Sequence, residues 1–329
     1  MCPQPWASCL RRTGLRGCWR AVLGWGDDGG HARDSQVESE EAEEELSTGE
    51  EEEELLGEGA TGQVHMKRDP DGTWVAIKRM KANSHLALRE IDLLRRAQTH
   101  PHVVRFRRAS IHADGQVHVV MHCEGRETLM DLLHRRRPPA RARLRMQHGV
   151  AAGVAHLHSR GIAHMDLKPD NIAVGEAMHV RLLDFGLSLA PREGQTAHGV
   201  RGTREYGCPE MLLGREYDPF LADAWSLGVV VYAIEFNRLP FEEASSRCRS
   251  YWTFKHLHLV EGKTVCESIR EVYRGTVWVQ RGFDRLMPAQ TLVLSRLLSV
   301  EDRAEPQAVL GLLSSALERE DPTESIEWS

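Results

Sequence analysis

Aromatic side chains make up only 6% of this 329-residue chain, and no run of eighteen or so apolar residues reads as a bilayer-spanning helix. The Trp/Arg/Gly-rich start lacks the continuous apolar segment of a secretory leader. Cysteine is sparse and scattered: Cys2, Cys9, Cys18, Cys123, Cys208, Cys248 and Cys266 contain no CxxC pair, which argues against both a zinc cluster and a disulfide framework. A reducing compartment, cytoplasm and/or nucleus, is therefore the expected setting. Dense basic charge occurs only between Arg135 and Arg145 and reads as a solvated loop between helices, so nucleic acid is not an expected partner.

What is present suits a folded domain, since 41% hydrophobic residues in a chain of this length can fill a substantial core. The net charge of -6 is concentrated: eleven Glu lie between Glu38 and Glu54, and without them the remainder is mildly basic. Residues 1–54 read as a disordered extension with an acidic tract, because its Gly/Asp and Glu runs bury too little apolar surface to offset chain entropy. Ser47 and Thr48, each with Glu three positions on, match a pattern that acid-directed kinases favour, as any serine in such a tract would. Cys2, Cys9 and Cys18 among Trp6, Trp19, Trp25 and four arginines allow a weak membrane-surface contact by a lipidated terminus; a floppy terminus is the simpler reading. Folding is expected over 55–317, with an acidic tail at 318–329.

From Leu55 to Met121 the pattern is strand-like around one helix. Apolar residues alternate at Val64 and Met66, recur from Trp74 to Ile77 and from Val117 to Met121, and a helical stretch spans Ser84 to Ala97. Beyond residues 122–125 the periodicity turns helical, with Met146, Val150, Val154 and Leu157 at helical spacing and an apolar run from Leu221 to Phe236. Inside this part, Ile172-Ala173-Val174 and Val180-Arg181-Leu182-Leu183 flank Gly175 as a hairpin with Asp184 at its exit. The chain is thus α+β, with a small sheet-rich lobe (55–121), a connection (122–125) and a larger helical lobe (126–317).

Several motifs carry chemistry. Gly57-Glu58-Gly59-Ala60-Thr61-Gly62-Gln63-Val64 has the spacing GxGxxGxV, where glycine lets a strand-turn-strand backbone approach phosphates. The same spacing opens dinucleotide-binding units, but there a helix follows, whereas Gln63-Val64-His65-Met66 and Asp69-Pro70-Asp71-Gly72 read as strand and turn. Val75-Ala76-Ile77-Lys78 ends an apolar strand on an ammonium group. Glu90, with Leu86, Leu93 and Leu94 at helical spacing, lies beside an inward stripe where a carboxylate needs a cation, and Lys78 is the natural one; Arg89 or Arg95 would be its partner on a solvated face.

His164-Met165-Asp166-Leu167-Lys168-Pro169-Asp170-Asn171, followed by Leu183-Asp184-Phe185-Gly186, sets two carboxylates, a lysine and an amide in fixed order. With the glycine loop, the lysine and a later Pro209-Glu210, the set resembles the eukaryotic-type protein kinase family, serine/threonine branch. The resemblance implies a bilobal kinase-like fold and transfer of the γ-phosphate of ATP, with Mg2+, to Ser or Thr hydroxyls of protein substrates. It implies that Asp166 accepts the hydroxyl proton, that Lys168 steadies the moving phosphoryl group, that Lys78 and Glu90 pair, and that Asn171 and Asp184 hold magnesium. Leu56, Gly57, Glu58, Gly59, Ala60, Thr61, Gly62, Gln63, Val64, Lys78, Met121 and Cys123 would contact the nucleotide, 122–125 serving as the hinge. Gly202-Thr203-Arg204-Glu205-Tyr206-Gly207-Cys208-Pro209-Glu210 resembles the family's GTxxYxAPE segment, Asp223-Ala224-Trp225 the helix that anchors the catalytic loop, and Arg303 the partner of Glu210. Lys168 and Thr203 are typical of the serine/threonine branch. Met165 departs from the family: it stands where an arginine usually binds a phosphorylated loop residue, so activity is expected not to need phosphorylation between Asp184 and Glu210, at Thr196 or Ser188 for example. Arg192 and Arg201 are conceivable substitutes. The rival reading is a pseudokinase, a scaffold that binds partners without transferring phosphate.

Overall fold

The structure is a computed structural model and describes residues 53–59, 62–81, 85–112, 115–123, 125 and 127–319. Residues 1–52 of the N-terminal extension, Ala60, Thr61, Ser84 and residues 320–329 of the acidic tail lie outside the described residues, whereas Glu54 begins the first strand and Glu318 and Arg319 end the last helix.

The amino-terminal lobe is a five-stranded antiparallel sheet, β1 (Glu54–Gly59), β2 (Gly62–Arg68), β3 (Trp74–Lys81), β4 (Phe106–Ile111) and β5 (Gln116–His122), in the order β1-β2-β3-β5-β4. Alternation along β5 turns Val117, Val119 and Met121 inward. The edge strand β4 gives no comparable signal, since Phe-Arg-Arg-Ala-Ser-Ile has no fully buried position. Helix α1 (His85–Arg96) packs across the sheet with Ala87, Glu90, Ile91, Leu93 and Leu94 buried. Leu86, expected on the inward stripe, is 54% exposed; Ala87, three residues before Glu90, takes the inward place.

The carboxy-terminal lobe is mainly helical. A small sheet of β6 (Glu127–Thr128), β7 (Ile172–Val174) and β8 (Val180–Leu182) lies at its top. Thr128 and Asp131 close a capping box on α2 (Leu129–Arg135), which leads to α3 (Ala140–Ser159). The short α4 (Pro209–Leu212) precedes the central α5 (Pro219–Phe236). Asp218 caps α5 by accepting from the amides of Phe220 and Leu221, and Asn237 ends it in the left-handed region. By length and composition α5 could cross a bilayer, which corrects the expectation that no run reaches that length; it extends the apolar run read from Leu221 back to Pro219 and is largely buried inside the protein as a core helix. Around it pack α6 (Arg249–Leu259), α7 (Val265–Val272), α8 (Val277–Asp284), α9 (Pro288–Leu297) and α10 (Pro306–Arg319).

The basic cluster does not form a solvated loop throughout. Arg143 is buried on α3 and donates to both carboxylate oxygens of Glu235 on α5, at 3.1 and 2.8 Å. Gln147 and Gln290 also donate to Glu235, so the buried carboxylate is fully partnered.

The lobes are stitched behind the cleft by the segment after α1. His102 and Val104 exchange backbone hydrogen bonds of 2.9 Å with Leu182 of β8. Two helical glycines let this segment approach α3: a Cβ on Gly149 would lie 2.8 Å from the His102 ring, and one on Gly153 would lie 2.8 Å from the His102 carbonyl oxygen.

Candidate active site

β3 carries Lys78 and α1 carries Glu90, so the position of the helix over the sheet decides whether the two meet. They do: Lys78 Nζ donates to Glu90 Oε1 at 2.7 Å and Oε2 at 2.9 Å, with both side chains buried. The third donor of the ammonium goes to Asp184 Oδ1 at 2.8 Å. Burial opposes the charge on Lys78, yet the carboxylates of Asp184 and Glu90 together hold its pKa above that of an ordinary lysine. Burial raises the pKa of Glu90, an effect that Lys78 and the Phe185 amide reduce. Asp184 is lowered: burial works against its charge, but Lys78 and the Gly186 amide outweigh it. Asp184 leaves β8 in a left-handed conformation (φ 54°), which turns Phe185 into the core.

The loop from His164 to Asn171 is held from below by α5. Asp223, 1% exposed, accepts from the amides of His164 at 2.6 Å and Met165 at 2.8 Å, and from His158 Nε2 at 3.0 Å. Met165 is itself left-handed (φ 66°) and buried, an arrangement the two amide bonds stabilise. His164 donates from Nε2 to the Leu183 carbonyl at 2.7 Å and accepts the Asp166 amide at Nδ1, which ties the loop to the hairpin below Asp184.

The carboxylate of Asp166 is gripped at both oxygens. Oδ1 accepts from the amide and hydroxyl of Thr203, each at 2.9 Å. Oδ2 accepts from Asn171 Nδ2 and pairs with Lys168 Nζ, each at 2.9 Å. Lys168 also donates to Thr203 Oγ1 at 2.8 Å. Thr203, noted in the sequence only as typical of a branch, therefore links the catalytic loop to the segment ending at Glu210. Gly202 makes room for this: it has φ +72°, and a Cβ there would lie 2.4 Å from the Met165 carbonyl oxygen and 2.9 Å from Asp166 Oδ1. Farther along, Arg303 pairs with Glu210 at 3.1 Å and donates to the Leu221 carbonyl at 3.0 Å, with Cys208 buried nearby.

The donors for a cation fit a hard metal. Asn171 Oδ1 is buried without a hydrogen-bond partner, while its Nδ2 is committed to Asp166. Among the described residues no three His, Cys, Asp or Glu side chains form a self-sufficient metal cage. An amide oxygen and one carboxylate, completed by phosphate oxygens, is a donor set suited to Mg2+.

The glycine-rich segment is a hairpin, with Glu58 opposite Gln63 and Gly59 opposite Gly62; a bulge separates Leu55 from Gly57 at Leu56, and Val64 pairs with Lys78. Ala60 and Thr61 lie outside the described residues. At the connection, Met121 is paired with Ala76 and Phe106 on its two sides and is buried in the core, so it offers no free backbone group. The Cys123 amide donates to the Trp74 carbonyl at 3.0 Å. That bond commits the Cys123 N–H to the sheet, whose register runs one residue past β5.

Ser188 is fully buried, and Thr196 is exposed within 3.4 Å of a Glu216 carboxylate oxygen. Arg192 is exposed, and Arg201 lines a small pocket with Met165, Asp166 and Thr203.

A two-lobed fold with a glycine hairpin, a lysine–carboxylate pair and a doubly held aspartate defines a phosphate-handling kinase scaffold. The family model for the protein kinase domain matches residues 50–292, and the chain belongs to that family. It is 30% identical over 201 residues to CBL-interacting serine/threonine-protein kinase 7 of Arabidopsis thaliana, covering 58% of this chain and 47% of that one. Putative CBL-interacting protein kinase 13 of Oryza sativa subsp. japonica is 32% identical over 259 residues, 70% of this chain and 50% of the relative. Sperm motility kinase 2B of Mus musculus is 32% identical over 200 residues, 58% and 38% of the two chains. The chain thus spans about half the length or less of these curated relatives.

Proposed function

We propose that this protein is an active serine/threonine kinase that transfers the γ-phosphoryl group of ATP to hydroxyls of protein substrates. The observation that carries the reading is the Lys78 ammonium bonded at once to Glu90 and Asp184, across the cleft from an Asp166 carboxylate held by Thr203, Asn171 and Lys168. A pseudokinase has no need of this complete set.

In the transfer, the substrate oxygen attacks the γ-phosphorus, the bond to the β–γ bridging oxygen breaks, ADP leaves, and the hydroxyl proton passes to Asp166. Lys168, within reach of Asp166 and Thr203, offers positive charge to the moving group. All three donors of Lys78 point at carboxylates, so a phosphate oxygen would replace one of them, and Asp184 is the partner free to turn to a cation. Asn171 Oδ1 and Asp184 would hold Mg2+, which when bound supplies positive charge to the phosphate oxygens. Lys168, Thr203 and the names of the relatives favour Ser and Thr as acceptors. A cytoplasmic or nuclear setting belongs to the same proposal, in keeping with the free cysteines Cys123, Cys208, Cys248 and Cys266.

The test is phosphate transfer from labelled ATP to an arrayed peptide library by the full chain and by Asp166→Asn. Phosphoserine and phosphothreonine from the wild type alone support the proposal. Transfer only to tyrosine, or equal transfer by the variant, would defeat it.

A further inference from the structure

Helix α1 must stay over the sheet for Glu90 to reach Lys78, and it meets the other lobe at its last turn, through Arg89, and through Glu90 itself, which accepts from the Phe185 amide. At its last turn Arg96 Nη2 donates to the Arg160 carbonyl at 3.3 Å, and His156 Nε2 donates to the carbonyl of Ala97 at 3.2 Å. In its first half, Arg89, adjacent to Glu90, reaches across the cleft and donates from Nη2 to the Ser188 carbonyl.

That carbonyl belongs to a rigid frame. The Ser188 amide donates to the Phe185 carbonyl at 3.1 Å, its hydroxyl donates to the His164 carbonyl at 3.1 Å, and Leu189 exchanges two 2.8 Å backbone bonds with Ala163. His164 is in turn fixed by Asp223. A continuous hydrogen-bonded path therefore runs from α5 through His164 and Ser188 to Arg89, one residue from the carboxylate that holds Lys78. Met165, next to His164, adds an apolar buried side chain to this frame and no cation.

We propose that Arg89 is a positioning residue that clamps α1 to the backbone of Ser188 and so keeps Glu90 on Lys78 whatever the phosphorylation state of the loop. The inference rests on the kinase reading above for its catalytic consequence, but not for the clamp itself. A backbone carbonyl is present in every copy of the chain, so this coupling is built in at synthesis. A phosphate-dependent coupling would wait for a modifying enzyme. Ser188, fully buried, offers its hydroxyl to no such enzyme in this conformation.

Two measurements on the whole 329-residue chain test it: kcat/KM for ATP with a serine peptide, and hydrogen exchange of the amides of residues 85–96. Each is made on wild type before and after phosphatase treatment, on Arg89→Ala and on Arg89→Lys. Loss of a charged donor to a carbonyl predicts a fall of about 10- to 100-fold in kcat/KM for Arg89→Ala. Arg89→Lys, which keeps a charged donor, should recover part of the loss. Exchange in α1 should quicken in Arg89→Ala, and phosphatase should leave the wild type unchanged. Wild-type kinetics and exchange in Arg89→Ala, or Arg89→Lys no better than Arg89→Ala, would overturn the clamp, as would inactivation by phosphatase. If no form transfers phosphate, the kinase reading fails while the exchange comparison still decides the clamp.

Discussion

Replacing Asp223 by alanine removes one carboxylate that three donors share, the amides of His164 and Met165 and the ring of His158. Asp223, His164 and Met165 are buried, so both amides are left without an acceptor, and each orphaned donor costs about 1–3 kcal/mol. The loop can escape part of that penalty by letting Met165 leave its left-handed conformation, which recovers about 1–2 kcal/mol but carries Asp166 away from Thr203 and Asn171. Two orphaned amides at about 2–6 kcal/mol, less that relief, predict a net loss of about 1–4 kcal/mol, reaching past the usual range for single substitutions. For a domain of this size that corresponds to a fall of roughly 2–16 °C in Tm. Asp223→Asn keeps one acceptor oxygen and should lose about half as much. Differential scanning calorimetry gives the stability, and phosphotransfer well below the variant's Tm gives the activity, which should fall at least about 100-fold because a displaced base fails geometrically before the fold fails. A shift under about 2 °C with normal transfer would refute the view that Asp223 supports the catalytic loop.

Gly202→Ala would push a methyl group against the Met165 carbonyl and the Asp166 carboxylate, and we expect activity to fall far more than stability, read by comparing kcat with Tm. His100 lies stacked on His156 near His102, which stacks on His179; burial and the neighbouring histidines lower His100 from 6.5 to about 4, and burial lowers His102 and His148 as well. The unfolded chain therefore binds more protons than the fold in this window, so stability should rise with pH and be lost as pH falls from 6.5 towards about 4. Tm measured across that range should have a shallower slope in His100→Gln than in the wild type; equal slopes would contradict the assignment.

Much of the site was legible because the chemistry names its own residue types. The hairpin Ile172–Val174 and Val180–Leu182 stands where the apolar runs placed it, with Asp184 beyond. The pair Lys78 and Glu90 was also legible, and α1, from His85, delivers Glu90 to Lys78. The Arg303–Glu210 pair likewise follows from the resemblance. What escaped the sequence are contacts to backbone atoms. Arg89 to the Ser188 carbonyl, Cys123 to Trp74 and Thr203 through its amide to Asp166 leave no mark in residue type, since any residue carries a carbonyl and nearly any an amide. Leu86 and Arg143 were misplaced for a different reason: helical periodicity gives a face within about one residue, and a buried arginine looks like a surface one until its partner, here Glu235 on another helix, is known.

Binding of a non-hydrolysable ATP analogue, followed as a Tm shift with and without Mg2+, tests most directly whether Lys78, Asn171 and Asp184 meet one triphosphate. At a hundred times Kd the wild type with Mg2+ should gain about 2.7 kcal/mol, several degrees in Tm, and Asp184→Ala should lose the part of that gain that depends on the metal. A wild type that shifts equally with and without Mg2+, or not at all, would contradict the account.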